Sequence, residues 1–357
     1  MKIAQIAPIW FSVPPSKYGG AEIVIANLIN GLVTKRHDVT LYGSGDSTVN
    51  VEKISVIKKA PCHIDWLNYG SKEFMNVARA IEESDLYDIL HFHITVDLSP
   101  LILSQFSKKP TIITFHNFLK GHESKDIYLK YKDSNCVAIS SAFKNQFPSM
   151  NFIGVVYNGI EINNLPFSSG GGNYISWIGR FNKIKASHLV IDVAQELKIL
   201  AKIAAPLPYA LEQTEYFEKE IKDRLKSKYV SYVGEVGINA KSDLLRNSRV
   251  FVNPIQHEEP FGLVVPEANA CGTPVVAFAR GSMPEIIKDG INGFLVKPND
   301  LKEMTKVVKA IFDMPESQYL KLRENCRKHV EDNFTVEKMA DGYEKVYKKI
   351  LTDRKGE

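Results

Sequence analysis

The sequence predicts an α/β protein of two Rossmann-like, doubly wound domains, and three observations predict it. Apolar runs of strand length alternate with stretches whose apolar residues recur at helical spacing. This alternation is run through twice along the 357 residues. Between the two series lies a serine-glycine segment with no apolar side chain, residues 168–172, which is expected to act as an interdomain hinge. The expected division is therefore 1–167, hinge 168–172, and 173–335, followed by an amphipathic helix over 336–351.

The elements follow in order. KIAQIAP at the N-terminus reads as a parallel strand, followed by a glycine loop through Tyr18, Gly19 and Gly20. A helix then carries Ala21, Val24, Ile25, Leu28, Ile29 and Leu32 on one stripe. Residues 38–42 (DVTLY), 88–92 (DILHF) and 111–115 (TIITF) are further buried strands of the first series. The second series has strands at 174–178, 202–205, 230–233, 249–253, 274–278 and 293–296, with a helical pattern over 189–200. The last helix shows Met339, Tyr343, Val346, Tyr347 and Ile350 at helical spacing.

Composition narrows the function. With 44% hydrophobic and 24% charged residues the chain can bury two cores. The formal net charge of +4 comes from interleaved lysines and acids, and no basic block is long enough to suggest nucleic-acid binding. Cys62, Cys136, Cys271 and Cys326 are widely spaced with no C-x-x-C, which argues against a disulfide framework or structural zinc and for a reducing cytoplasm. No 18-residue apolar run is present, so membrane contact is expected to be peripheral at most.

Chemistry concentrates in HEEPFGLVVPEANACG, residues 257–272. Glu259 and Glu267 stand eight positions apart around a helix start that follows a strand and a Pro-Phe-Gly turn and stops at Gly272. Backbone N–H groups near Gly262, Leu263 and Val264 suit a phosphate or sugar oxygens, and a carboxylate such as Glu267 can accept two hydroxyl donors of a diol. Upstream, Arg180 and Lys185 in WIGRFNKIKAS lie between a strand and a helix, where two cations can converge on one anion.

This stretch, EEPFGLVVPEANACGTPVVAF, resembles the donor-site signature of glycosyltransferase family 4, retaining enzymes of the GT-B type, and the resemblance runs along most of the chain. GRFNKIK resembles the family's GRF…KG motif, which implies that Arg180 and Lys185 contact the donor diphosphate. Ala186 stands where the family usually has glycine, and Ala204-Ala205 where relatives often place one. Gly19 and Gly20 resemble the loop under the donor phosphates and acceptor, and they do not form G-x-G-x-x-G, which argues against a dehydrogenase.

His116, just past a strand end, matches the family's histidine facing the donor sugar, where its imidazole could donate a hydrogen bond or move a proton. His91 and His93 alternate on one strand; two histidines of one face can chelate a metal, but no third ligand lies nearby in sequence, and His93 is better read as a cleft-lining residue at the strand end. No D-x-D triplet is present, which disfavours the metal-dependent GT-A type. Gly281 and Glu285 in GSMPEII either approach the donor or cap a helix.

The resemblance thus implies two domains facing a central cleft, the final helix returning to the first. It also implies retaining transfer of a hexose from a UDP- or GDP-sugar to a glycan or lipid-linked hydroxyl, with no metal and no other cofactor. Glu259, His116, Arg180 and Lys185 would be catalytic; Glu267, Gly262, Leu263, Val264, Gly19 and Gly20 would bind the donor. A nucleotide-sugar 2-epimerase and a non-catalytic nucleotide-sugar binder remain as alternatives. Acceptor contacts are expected from residues 118–126 and 143–150, whose Phe118, Leu119, Lys120, Phe143, Lys144 and Phe147 could touch a lipid surface or cover the core.

Overall fold

The computed structural model describes residues 1–16, 19–61, 66–117, 122–208 and 210–353, and their side chains except at 66–68, 122 and 123. Tyr18, Cys62, Phe118, Leu119 and Lys120 lie outside the described residues. The chain forms two compact units, Met1–Gly159 with Val336–Glu357, and Ile160–Thr335.

The first unit holds strands β1 (Lys2–Ile6), β2 (Asp38–Tyr42), β3 (Glu52–Ile54), β4 (Ile89–Ile94), β5 (Thr111–Phe115), β6 (Cys136–Ala138) and β7 (Phe152–Val155). All pair in parallel in the order β3-β2-β1-β4-β5-β6-β7. Strands β3, β6 and β7 were not legible in the sequence, being three or four residues long with no alternation to mark them. Period-two geometry divides the central strands between two faces. Ala4, Ile6, Leu90, Phe92, Ile113 and Phe115 enter one apolar core. Gln5, His91, His93 and Thr114 form a buried polar stripe on the other face, where Tyr343 and Tyr347 of the final helix, Val336–Asp353, meet it.

The second unit holds β8 (Ile175–Ile178), β9 (Ala201–Ala204), β10 (Val230–Gly234), β11 (Val250–Asn253), β12 (Val275–Phe278) and β13 (Gly293–Val296). They too are parallel, in the order β10-β9-β8-β11-β12-β13, around a core that includes Trp177, Phe181, Ile203, Val252 and Phe278. In each sheet the chain builds outward from the first strand in one direction, then returns to that strand's other side. The switch points are therefore β1/β4 and β8/β11, and the loops after those strands are where an open α/β sheet leaves a crevice for a ligand.

The division between the units falls at 159/160 and 335/336, so the 168–172 segment, expected as a hinge, lies inside the second unit. Buried Arg323, on the helix Glu316–Asn333, explains why. Its Nε donates to Ser168 O at 2.7 Å, and the same guanidinium donates to Ser248 O, Arg246 O and Cys271 O. Gly172 is pressed against the Asn247 carbonyl, which a Cβ at this position would meet at 1.8 Å. Its glycines permit close approach there, where composition alone had suggested flexibility.

Phe143 is buried and Phe147 packs on it, ring centroids 5.5 Å apart, so both aromatics of the 143–150 segment cover the core while Lys144 is exposed. No helix among the described residues is long and apolar enough to cross a membrane.

Candidate functional site

In the second unit the proposed donor residues gather at the β8/β11 switch. Residue pairs Val250–Ile175 and Phe251–Ser176 align the two strands. Their following loops are joined where Gln256 N donates to Ile184 O at 2.8 Å. After β8, Gly179 and half-buried Arg180 begin a turn that Asn182 organises, its Oδ1 accepting from Lys185 N at 2.9 Å. The helix Ser187–Leu197 follows, and the residue that precedes it, Ala186, has φ 49° and ψ 45°. This is the left-handed region that glycine enters at little cost and an alanine only with strain, which is the physical reason a glycine suits the position. Ala204 and Ala205 are not in that region, so the expected restriction of positive φ does not arise there.

The turn aims Lys185 at Glu259, Nζ to Oε2 at 2.5 Å. The loop after β11 carries Glu259, and His257 Nε2 lies 3.3 Å from the same carboxylate oxygen. The 281–282 segment holds this loop from behind. Gly281 N donates to Glu258 Oε2 at 2.6 Å, Ser282 N to Glu259 O at 2.9 Å and Ser282 Oγ to Phe261 O at 2.9 Å. With φ 54° and the Glu259 backbone within 2.4 Å of where a Cβ would sit, position 281 accepts only glycine. Gly281 thus supports Glu259.

The helix Val264–Ala270 begins at Val264, after Gly262 and Leu263, all three half-buried, and Gly272 at φ 86° ends it, Gly272 N returning to Asn269 O at 2.8 Å. Glu267 sits on this helix, nine-tenths buried, paired with Lys241 of the helix Ile238–Arg246 at 2.5 Å. Lys241 escaped the sequence reading: it lies 26 residues before Glu267 on another element, and no local spacing signals it. The second unit therefore presents Arg180 and two lysine–carboxylate pairs. Each pair combines a cation suited to phosphate with an acceptor suited to a hydroxyl.

In the first unit Gly19 precedes and Gly20 opens the helix Gly20–Thr34, with Ile23 N donating to Gly19 O at 3.1 Å. Glu22 in the first turn is buried, which raises its carboxyl to about 7. Glu73 is equally buried and raised to about 8, though the Ile9 N–H donated to it at 2.9 Å opposes the shift. His116 follows β5, its N donating to Ile94 O at 2.8 Å. It is 7% exposed and stacks on His93, centroids 5.2 Å apart. Burial lowers His116 to about 4, and it holds His91 and His93 well below the ordinary imidazole range. Both ring nitrogens of His91 are engaged, by Tyr347 and Thr114, as are both of His93, by His116 and Gln5, so these two histidines are not arranged as a chelate. Among the described residues no cluster of three or more His, Cys, Asp and Glu could hold a metal ion.

Two parallel, doubly wound α/β units of this order are the architecture of the GT-B glycosyltransferases. The family described as "Glycosyl transferases group 1" matches residues 162–331, and "Glycosyltransferase Family 4" matches residues 18–164. The chain belongs to the group 1, family 4 glycosyltransferases. It is 27% identical over 350 residues to an uncharacterized glycosyltransferase of Methanocaldococcus jannaschii, covering 93% of this chain and 95% of that protein. It is 23% identical over 380 residues to the O-antigen chain mannosyltransferase C of Escherichia coli, covering 98% and 100%. Among solved structures, sucrose-phosphate synthase from Thermosynechococcus elongatus superposes with a TM-score of 0.81 at 16% identity, over 99% of this chain and all of that one. Anabaena HepE, solved with UDP and glucose, gives 0.75 at 20% identity, over 98% and 100%.

Proposed function

We propose that the chain transfers a hexosyl group from a UDP- or GDP-linked sugar to a hydroxyl of a glycan or lipid-linked acceptor, with retention of configuration and without a metal. The observation that carries this reading is the pairing of Lys185 with Glu259 and of Lys241 with Glu267 beside the β8/β11 switch. HepE, a protein of the same fold solved with UDP and glucose, supports it.

Arg180 and Lys185 are assigned to the diphosphate, whose charge grows as the anomeric C–O bond breaks. Backbone N–H groups around Gly262, Leu263 and Val264 add to that, so the charge is met by the protein's own donors. Glu259 accepts from hydroxyls of the hexose and Glu267 from the ribose diol. The acceptor oxygen bonds to the anomeric carbon on the face the leaving group vacates, and its proton passes to the departing phosphate oxygen. In the first unit His116 is assigned a substrate hydroxyl, and Gly19 and Gly20 a close backbone approach to substrate. The protein is placed in the cytoplasm, with its acceptor in solution or at the inner face of a membrane.

A thermal-shift series with UDP, GDP, ADP and their common sugars, each with and without EDTA, tests the donor site. A ligand at a hundred times its Kd stabilises by about 2.7 kcal/mol. One nucleotide raising the melting temperature in EDTA is the expected result; no shift with any of them overturns the reading.

A further inference from the structure

The buried polar stripe of the first sheet is a continuous hydrogen-bonded chain with a direction. Tyr343 Oη lies 2.9 Å from Thr114 Oγ1, which lies 2.8 Å from His91 Nε2. His91 Nδ1 is 2.8 Å from Tyr347 Oη, and Gln5 Nε2 donates to that oxygen at 3.0 Å. Gln5 Oε1 faces His93 Nε2 at 2.7 Å, and His93 Nδ1 faces His116 Nε2 at 3.0 Å. Hydroxyls can donate or accept, and a neutral imidazole can carry its hydrogen on either nitrogen. Only the Gln5 amide has ends of fixed and opposite character, so it sets the polarity of the links that run through His93 to His116.

With its oxygen toward His93, the hydrogen there must be on His93 Nε2. His93 Nδ1 is then bare and accepts, so His116 must donate from Nε2. In the other direction Tyr347 Oη accepts from Gln5, and as a hydroxyl it can either donate to His91 Nδ1 or accept from it, so the amide leaves the His91 and Thr114 links unset. Reversing the amide would reverse the links through His93 to His116.

We infer that Gln5 is a positioning residue: through His93 it holds His116 as the Nε2–H imidazole, so that His116 meets a substrate hydroxyl with the bare Nδ1, as a hydrogen-bond acceptor. The substrate part rests on the transferase reading above; the polarity of the chain does not. The sequence expectation that His116 donates to a sugar hydroxyl is thereby turned round. Burial keeps all three imidazoles neutral near pH 7, the condition the chain requires.

Long-range proton–nitrogen NMR on the full chain labelled at histidine nitrogen, at pH 7 and without ligand, tests this. Bare and protonated ring nitrogens resonate far apart. The wild type should show His93 and His116 with bare Nδ1. In Gln5→Met, and in Tyr347→Phe, which removes the acceptor that orients the Gln5 amide although Tyr347 is not hydrogen-bonded to His116, the His116 signals should shift toward a mixture of both tautomers. A wild-type His116 with its hydrogen on Nδ1 overturns the inference, as does an unaltered His116 in both variants. Because no nucleotide is present, a failed donor-binding test leaves this result standing, and a failed tautomer test leaves the donor site untouched.

Discussion

At the scale of single residues, the second unit's site depends on cations held by carboxylates rather than on cations alone. Lys185 and Glu259 neutralise each other at 2.5 Å with the lysine only a quarter exposed, so removing either leaves a charge in a poorly solvated place. Arg180→Ala and Lys185→Ala should each lower kcat by about a hundredfold or more, the scale of losing one charge-stabilising group. Steady-state kinetics with the identified donor check this, and unchanged kcat in both variants would remove these residues from the reaction. Arg180, Lys185, Glu259 and Glu267 were legible because motif spacing names them. Lys241, Asn182 and Gln5 were not, since each acts on a partner whose position only folding determines.

At the scale of elements, loops at strand ends carry the chemistry, and buried hydrogen bonds hold them. Arg323 of the helix Glu316–Asn333 makes five such bonds, four to carbonyls and one to Tyr319 Oη at 3.0 Å. Arg323→Met would leave Ser168 O and Arg246 O without this donor, while Ser248 O keeps Tyr319 Oη and Cys271 O keeps Ser168 N, and should destabilise the second unit by about 2 kcal/mol or more, since each unpaired buried acceptor costs about 1–3 kcal/mol. The urea midpoint of unfolding measures it, and a midpoint within error of wild type would show that water replaces the guanidinium. The strands other than β3, β6 and β7 were readable from apolar runs, and the helices that follow Gly20 and Lys185, carry Glu267 and close the chain were readable from their spacing. The role of residues 168–172 was not, because glycine placed for close approach and glycine placed for flexibility look alike in composition.

At the scale of the whole molecule, buried ionisable groups in the first unit predict a stability optimum. Glu22 and Glu73, raised to about 7 and about 8, are protonated in the fold where the unfolded chain has ionised them. Their contribution is full below the ordinary carboxyl range and is lost as pH rises towards 8. His91, His93 and His116, lowered by burial, act the other way, and their contribution is lost as pH falls below the ordinary imidazole value. Thermal unfolding should therefore be highest near pH 6–7, where the ordinary imidazole and raised carboxyl ranges meet. In Glu22→Gln/Glu73→Gln the decline above that optimum should flatten. A double variant with the same alkaline decline would remove these carboxyls as its cause.

By itself the sequence determined the fold class and the family, and it singled out the charged residues that the fold gathers at the β8/β11 switch, because hydrophobic periodicity and motif spacing are local properties of the chain. Only the tertiary structure decided which cation meets which carboxylate, where the two units divide, and that His116 ends a polarised chain reaching back to Gln5 and on to Tyr347. Those depend on contacts between residues as many as 342 positions apart, made where the final helix packs back on the first sheet and where parallel strands distant in sequence lie side by side.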